Sequence, residues 1–347
     1  MKNRKRFIFN LMCILTGICA FISVNIAYAM STVQEFISMF GVILIIIPCV
    51  LTVSFIVLIS LSYKWNVKKE SRLRNILKYV FSVTVGGWIL LVGCFYFFRE
   101  EVLYTNSPVR QELLNKIDSQ DNFKKISIKV ESDIFLQGFL YKDNNKGKAP
   151  LAIYFGGRGE EASSIVEYAV KVKGYSLAFI NYRGCGLSNG TQSRKDILSD
   201  SAAIYDYFAA RSDIDNDNII LIAHSLGTGV AIDLAAERNV KGIVLSAAYD
   251  EYTSGVIQDK VPLIPVKMLL SDEFDSLALA PELKIPALFL LAEKDRTIIR
   301  SRSMKLFNRW GGKAESVVIE GTHHENITLN NDTWENINNF IDKLLKL

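Results

Sequence analysis

The chain has 347 residues, of which 50% are hydrophobic, and it carries a formal net charge of +4. Its mean hydropathy of +0.19 is too high for an ordinary soluble domain, and the excess lies in roughly the first hundred residues. The basic residues cluster beside apolar runs. We therefore interpret them as signals of membrane topology and not as a nucleic-acid-binding surface. Only one of the five cysteines, Cys185, lies outside those runs, so the globular part can form no internal disulfide, and no Cys/His spacing indicates a metal site.

Three apolar runs open the chain, at residues 7–29, 36–62 and 79–98. Each is long enough to cross a bilayer as a helix, which takes about 20 residues, and charged residues are nearly absent from all three. We therefore predict a membrane region over residues 1–99 with three transmembrane helices. The first run has a second interpretation, because its basic start and the small residues at 27–29 also resemble a cleavable signal peptide.

Lysine and arginine residues give the predicted orientation, because cytoplasmic loops carry an excess of them. The N-terminal tail is basic, and the link at 30–35 has no basic residue. The link at 63–78 is rich in them, with Lys64, Lys68, Lys69, Arg72, Arg74 and Lys78. We therefore expect a multi-pass protein of the cell membrane, with a cytoplasmic N-terminus and everything after Arg99 outside the cytoplasm.

The rest of the chain is predicted to be one globular domain over residues 124–347, preceded by a polar linker or lead-in at 100–123. Apolar runs typical of strands alternate there with helical patterns. The predicted strands are 126–130, 134–140, 151–155, 176–180, 219–223, 242–246, 287–292 and 316–319, and the predicted helices are 162–173, 194–210, 230–237 and 334–345. This alternation predicts the α/β class, with a doubly wound, mostly parallel sheet.

One strand of this domain ends at His224-Ser225 and continues through small residues into a helix. A serine at the apex of a sharp strand-to-helix turn is a nucleophile elbow, in which a strained turn holds the hydroxyl clear of the backbone. The usual pattern has glycine two places before and two places after the serine, and here those places hold Ala223 and Gly227. We predict Ser225 as a nucleophile.

Acyl transfer to a serine builds negative charge on the carbonyl oxygen, which fixed backbone N–H groups stabilise. One such donor is the residue after the nucleophile, Leu226, and a second comes from the loop after the third strand. That loop is glycine-rich, and we predict the main-chain N–H of Arg158, together with Gly157, at the oxyanion hole. The alternative interpretation is a plain glycine-rich turn.

A serine hydroxyl also needs a base and an acid that orients the base. His224 adjoins the nucleophile, so the base is sought in the pair His323 and His324 after the last strand, and we prefer His323 while His324 stays open. Asp295 follows the preceding strand and gives the chain order serine, aspartate, histidine. Glu293 and Asp250 are alternatives for the acid.

From residue 126 to the end, the chain resembles the serine α/β-hydrolase superfamily, most closely its membrane-anchored, esterase-like branch. Besides the three sites above, the segment 181–190, Asn-Tyr-Arg-Gly-Cys-Gly-Leu-Ser-Asn-Gly, is similar to the branch's loop after the fourth strand. The sequence departs from the family at Ala223, at Gly156 where histidine is frequent, and at Ala292 where glycine often precedes the acid. The resemblance implies an α/β-hydrolase fold with a small cap at about 249–284 over the active site.

The sequence therefore predicts a membrane-anchored serine hydrolase that cleaves an ester, thioester or amide through an acyl-enzyme. Ser225, His323 and Asp295 form the expected triad, and no metal or organic cofactor is expected. The expected substrate is a small or lipid-like acyl compound, and the sequence says nothing about a protein partner. The alternatives are a peptidase or an acyltransferase of the same fold, or a non-catalytic binding module.

Overall fold

A computed structural model describes residues 69–99, 103–142, 147–262, 264–270 and 274–346. The chain divides into two compact units, Met1–Val102 and Leu103–Leu347. The first two predicted membrane helices, at 7–29 and 36–62, lie outside the described residues.

The described part of the first unit is one helix, α1 (Lys69–Phe97). Its stretch Lys78–Phe97 has a mean hydropathy of 1.9 over 20 residues, so by length and composition it is able to cross a membrane. Large apolar side chains such as Phe81, Ile89 and Leu90 are exposed along it. This helix coincides with the third predicted run, at 79–98. Among the described residues, it is the one helix long and apolar enough to be a candidate membrane span.

The second unit alternates strands and helices, as predicted. Its strands are β1 (Phe123–Lys129), β2 (Phe135–Tyr141), β3 (Ala149–Phe155), β4 (Ser176–Ile180), β5 (Ile214–His224), β6 (Gly242–Ser246), β7 (Ala287–Ala292) and β8 (Ala314–Ile319). Its helices are α2 (Gln111–Asp118), α3 (Val166–Ala169), α4 (Arg194–Ala209), α5 (Leu226–Glu237), α6 (Gln258–Lys260), α7 (Val266–Leu269), α8 (Ser276–Leu279), α9 (Arg300–Phe307) and α10 (Asn331–Leu345). A 3₁₀ turn (Ala162–Ile165) precedes α3, a π-helix (Tyr252–Ile257) precedes α6, and a second 3₁₀ turn (Ile327–Leu329) precedes α10.

The strands form one sheet in the order β1-β2-β4-β3-β5-β6-β7-β8. β2 pairs with β1 and with β4 in the antiparallel sense, and the pairs from β4 to β8 are parallel. β5 is central, and its residues from Ile219 to His224 lie between β3 and β6. The carboxyl ends of the parallel strands therefore meet at one edge of the sheet, where ligands bind in open α/β sheets.

Alternate residues of the strands pack against two layers of helices, one on each face of the sheet, as expected of a sheet buried on both faces. On one face, Tyr154, Phe179 and Ile222 join one buried cluster with residues of α2, α3 and α10. On the other face, Phe289 packs edge-on against Phe307 of α9 at 5.4 Å between ring centroids. Both faces of the predicted sheet are thus covered by helices.

The segment at 100–123, predicted as a linker or domain lead-in, is part of the second unit from Leu103 onward. Leu103 is buried, and its carbonyl oxygen accepts a hydrogen bond from the Tyr252 hydroxyl at 3.2 Å. α2 buries Leu114 and Ile117 on one face. The spacing of those apolar residues on an amphipathic helix is the physical reason that the segment packs onto the sheet instead of tethering it.

The insertion between β6 and β7, predicted as a cap at 249–284, consists of the π-helix and the short helices α6, α7 and α8. Arg302 of α9 holds it, because the guanidinium donates to Asp259 at 2.7 and 2.9 Å and to Asp250 at 2.7 Å. Leu270 is buried within the domain, whereas the Met268 side chain is 86% exposed. Part of the apolar insertion therefore packs on the domain and part faces outward.

The packing of the closing helix α10 on the core can be tested by substitution. Trp334 is buried, stacks on Tyr168 and donates its indole N–H to the carbonyl oxygen of Thr328 at 2.8 Å. We expect Trp334→Ala to lower the free energy of unfolding by about 3 to 5 kcal/mol, because it leaves a large cavity. Glu335→Ala, at the next and exposed position, is the control and should change it by less than about 0.5 kcal/mol. Equal effects in denaturant titrations of the two variants would contradict this packing.

Candidate active site

The turn between β5 and α5 has the geometry of a nucleophile elbow. β5 ends at His224, α5 begins at Leu226, and Ser225 between them has φ 50° and ψ −119°. A positive φ is rare for a residue other than glycine and costs of order 1–3 kcal/mol. The Ser225 N–H donates to the carbonyl oxygen of Ser246 at 3.0 Å, which ties the strained turn to the neighbouring strand β6.

Small residues after the serine are required because α5 crosses closely over the end of β3. A Cβ added to Gly227 would lie 2.2 Å from the carbonyl oxygen of Phe155, and one added to Gly229 would lie 2.1 Å from the Tyr249 hydroxyl oxygen. Ala223, which replaces the first glycine of the usual pattern, is fully buried in β5. The departure from the pattern therefore falls at a position where this fold accommodates a methyl group.

Ser225, His324 and Asp295 form a continuous hydrogen-bonded relay. The Ser225 Oγ lies 2.8 Å from His324 Nε2, and His324 Nδ1 lies 2.9 Å from Asp295 Oδ2. Because a carboxylate only accepts, Nδ1 carries the proton and Nε2 is left to accept the hydroxyl proton of Ser225. The other oxygen of Asp295 accepts from the N–H groups of Thr297 and Ile298, both at 2.8 Å, so the carboxylate is held by its own loop.

The electrostatic environment favours this protonation pattern. Burial lowers the pKa of His324 below its ordinary value, and the nearby charge of His224 lowers it further, against the hydrogen bond that His324 donates to Asp295, which raises it. For Asp295, burial acts to raise the pKa, but the hydrogen bonds that it accepts from His324 and from the backbone leave it lowered. A neutral imidazole therefore faces Ser225, and an ionised carboxylate lies behind it.

The structure places His324, and not the preferred His323, in contact with Ser225. The His323 side chain is 53% exposed and its Nδ1 lies 2.8 Å from Glu325 Oε2, whereas the His324 side chain is 10% exposed. Thr322 donates its hydroxyl to the carbonyl oxygen of Ile319, which holds the turn after β8. The two adjacent histidines consequently face opposite sides of that turn, and their order in the sequence carries no signal of which faces inward.

The alternative acids are engaged elsewhere. Glu293 accepts the N–H of Gly321 at 2.8 Å at an exposed position. Asp250 is buried and accepts from Arg302 at 2.7 Å and Lys305 at 3.0 Å, an ion-pair cluster beneath the insertion. Of the three candidate acids, only Asp295 contacts a histidine.

The glycine-rich loop after β3 lies beside the nucleophile. A Cβ on Gly157 would lie 3.4 Å from the Ser225 Cβ and 3.0 Å from His224 Nδ1. The Gly157 N–H, which was predicted at the oxyanion hole, donates instead to Glu160 Oε2 at 2.8 Å. The N–H of Leu226 is the first of α5, and the N–H groups of a helix's first turn have no partner within the helix.

The loop at 181–190 contacts and supports the glycine-rich loop after β3. The Tyr182 hydroxyl donates to the carbonyl oxygen of Gly156 at 3.1 Å. Arg183 is buried and makes two bonds to Asp200, at 2.7 and 2.8 Å, and one to Glu131 at 2.7 Å. The tyrosine and arginine of this segment therefore hold the loop in place without contacting the serine relay.

A second polar pair adjoins the relay and was missed by the sequence analysis. His224 Nδ1 lies 3.1 Å from Glu160 Oε2, and His224 Nε2 lies 3.0 Å from the main-chain carbonyl oxygen of His324. Position next to the nucleophile excluded His224 as the base, and no sequence signal indicated that it would contact Glu160, which is 64 residues away. Among the described residues, no group of three or more His, Cys, Asp or Glu side chains is placed to hold a metal ion.

One family model and several known proteins are similar in sequence to this chain. The family model described as "Serine aminopeptidase, S33" matches residues 151–277, from β3 through the Ser225 turn into the insertion. The uncharacterized protein Rv2307c of Mycobacterium tuberculosis is 24% identical over 204 residues, which are 58% of this chain and 72% of that protein. The α/β hydrolase domain-containing protein aho-3 of Caenorhabditis elegans is 26% identical over 162 residues, which are 47% of each chain.

Solved structures share the fold. The esterase Pf2001 of Pyrococcus furiosus matches with a TM-score of 0.54 at 18% identity, over 69% of this chain and 98% of its own. The α/β hydrolase GrgF of a Penicillium species matches with a TM-score of 0.54 at 13% identity, over 65% of this chain and 99% of its own. This sheet order, this strand-to-helix turn and these structural matches show that the chain has the α/β-hydrolase fold.

Proposed function

We propose that this protein is a membrane-anchored serine hydrolase that cleaves an ester, thioester or amide through an acyl-enzyme. The observation that carries the proposal is the relay of 2.8 and 2.9 Å contacts from the Ser225 hydroxyl through His324 to Asp295, at a strained turn. A strained φ persists only where the surrounding structure imposes it, and such positions cluster at active sites. A seryl hydroxyl in contact with a neutral, carboxylate-held imidazole has the activation that acyl transfer requires.

In the first half of the proposed reaction, Ser225 Oγ bonds to the substrate carbonyl carbon while its proton passes to His324 Nε2. Asp295 stabilises the imidazolium that forms and keeps the ring oriented. The tetrahedral intermediate then collapses, and the leaving group departs with the proton that His324 returns. The acyl group remains on Ser225 as an ester.

We assign the oxyanion hole to the main-chain N–H groups of Leu226 and Arg158. The first belongs to the residue after the nucleophile, and the second follows Gly157, whose own N–H is engaged by Glu160. Two such donors aimed at the developing charge contribute several kcal/mol to many acyl transfers, and loss of one costs about 10²–10³ in rate.

In the second half, a water molecule gives a proton to His324 and attacks the acyl-enzyme carbonyl. The intermediate expels Ser225 Oγ, which regains its proton, and the acid is released. No step in this sequence requires a metal ion or an organic cofactor. The family model's description, serine aminopeptidase, makes a peptidase the second candidate, and the same residues would perform it.

The membrane anchor is proposed from the apolar helix α1 and from the apolar runs that precede it in the sequence. The lysines and arginines between residues 63 and 78 favour a cytoplasmic position for that link. The hydrolase domain would then lie outside the cytoplasm, and its substrate would be a small or lipid-like acyl compound.

The relay can be tested with a fluorophosphonate probe, which reacts covalently with activated serines. We expect the detergent-solubilised full chain to be labelled, and Ser225→Ala and His324→Ala to be labelled at least about 1000-fold more slowly, because nucleophile and base act as a unit. His323→Ala should be labelled within about twofold of the parent, because its ring faces outward. Labelling rates from gel fluorescence provide the measurement.

The adjacent histidines serve as matched variants in that experiment. If His323→Ala loses labelling and His324→Ala retains it, the assignment of the base is wrong. If the folded parent is not labelled at all, the hydrolase proposal fails and the binding-module alternative takes its place. Once labelling is established, p-nitrophenyl esters and aminoacyl anilides separate an esterase from a peptidase.

The orientation can be tested with reporter fusions. Reporters placed after Lys78 and after Leu347 should be found on opposite sides of the membrane, because one crossing by α1 separates them. Alkaline phosphatase and a fluorescent protein active only in the cytoplasm provide the measurement. Reporters on the same side would contradict the proposed location of the domain.

A further inference from the structure

His224 is held between two groups that only accept hydrogen bonds. Its Nδ1 lies 3.1 Å from a carboxylate oxygen of Glu160, and its Nε2 lies 3.0 Å from the carbonyl oxygen of His324. A neutral imidazole has one donor and one acceptor nitrogen, so it could satisfy only one of these contacts. Both contacts are hydrogen bonds only when His224 carries two protons and a positive charge.

Glu160 is equally well defined as an anion. Its Oε2 accepts from the Gly157 N–H at 2.8 Å as well as from His224, and its Oε1 accepts from the hydroxyls of Tyr154 at 2.7 Å and Ser164 at 3.2 Å. The Gly157 N–H can only donate, and the two hydroxyls are placed to donate as well, so an ionised carboxylate matches all of these neighbours. The two side chains thus form a mostly buried ion pair, with all hydrogen bonds satisfied.

The pKa directions agree with this assignment. Burial acts to lower the pKa of His224, but the hydrogen bond and charge of Glu160, with the bond to the His324 carbonyl, leave it raised. Burial acts to raise the pKa of Glu160, but the bond to His224 and its other donors leave it lowered. Each partner therefore favours the charged form of the other.

This pair joins three segments of the site. Glu160 holds the loop after β3 through Gly157, and His224 adjoins the nucleophile in sequence. The Nε2–H of His224 then holds the main chain of the residue whose side chain is the base, His324. The two histidine rings lie 5.2 Å apart between centroids, so a positive charge on His224 acts on His324 at short range.

We propose that His224, kept as an imidazolium by Glu160, is a positioning residue that fixes the loop of His324 and extends the hydrolase's activity to lower pH. The inference rests on the proposed function, because it concerns the base of that reaction. His324 accepts the Ser225 proton only while it is neutral, and a fixed positive charge nearby disfavours its protonation. The same charge makes His324 a weaker base. The wider pH range of activity is therefore accompanied by a lower basicity of His324.

Other titratable or charged groups also face this pair and the base. Tyr154 and Tyr182 face Glu160, and Asp295 and Glu325 face His324. Lys260 of the insertion faces Asp295, Glu325 and Arg158 of the glycine-rich loop. Asp295 and Glu325 raise the pKa of His324 and thus oppose His224. Substituting the pair alone leaves these groups in place, so the change it produces can be measured separately.

The charge on His224 is tested directly by ¹⁵N NMR of the full chain, labelled at histidine and solubilised in detergent. The chain has three histidines, so single substitutions assign the signals. At pH 7.5, about one unit above the ordinary pKa, His224 should show two protonated ring nitrogens, and Glu160→Gln should convert it to the neutral form. A neutral His224 in the parent at this pH would overturn the proposal.

The effect on the base is tested by the pH dependence of fluorophosphonate labelling. In Glu160→Gln and His224→Gln, the midpoint of the acid limb should move up by about one pH unit, because His324 then protonates more easily. Glu167→Gln is the matched control, since it removes an exposed carboxylate paired with Lys116, and its limb should not move. A purely structural pair would lower the rate at all pH values and leave the midpoint in place.

The variants also separate position from charge. A glutamine at 224 can still donate an amide N–H toward the His324 carbonyl, whereas His224→Leu cannot, so the leucine variant should lose more of the plateau rate. Unchanged midpoints in folded Glu160→Gln and His224→Gln would overturn the proposal. A parent that is never labelled would overturn the proposed function instead, while the NMR measurement still decides the charge on His224.

Discussion

The close crossing of α5 over the carboxyl end of β3 is the constraint on which the site depends. The backbone of Gly227 is so near the carbonyl oxygen of Phe155 that a Cβ would lie 2.2 Å from it. The same crossing places the glycine-rich loop against Ser225 and requires a sharp turn with φ 50° at that residue. The sheet stabilises this strain, because β5 is paired on both sides and buried on both faces.

Around this crossing, the polar groups form two chains of hydrogen bonds that meet at His324. One runs from Ser225 through the ring of His324 to Asp295, and the other from Gly157 through Glu160 and His224 to the carbonyl oxygen of His324. Buried polar groups are costly unless they are satisfied, and the contacts of these two chains satisfy the groups that form them. The side chain and the main chain of the proposed base are thus fixed by different partners.

The polypeptide from Leu103 onward is built into the second unit. Ser107 donates its hydroxyl to the carbonyl oxygen of Gly159 in the glycine-rich loop, and its own carbonyl oxygen accepts from the N–H of Gly186 at 2.8 Å. Gln192 donates to the carbonyl oxygen of Thr105 at 3.3 Å. Residues that a sequence-based boundary assigns to a linker therefore support the loops beside Ser225, so a soluble fragment should begin before them.

The sequence by itself determined the alternation of strands and helices, the serine at the β5–α5 turn and the aspartate after β7, because hydropathy periodicity and the spacing of glycines are local properties of the chain. It also determined that a long apolar helix ends near Phe97. Only the tertiary structure brought His324 and not His323 to Ser225, engaged the Gly157 N–H with Glu160, and brought Glu160 to His224. Those outcomes depend on which way adjacent side chains face in loops, and on contacts between residues 64 and 99 positions apart. Packing of the loops around the sheet sets both, and no local pattern of residues records it.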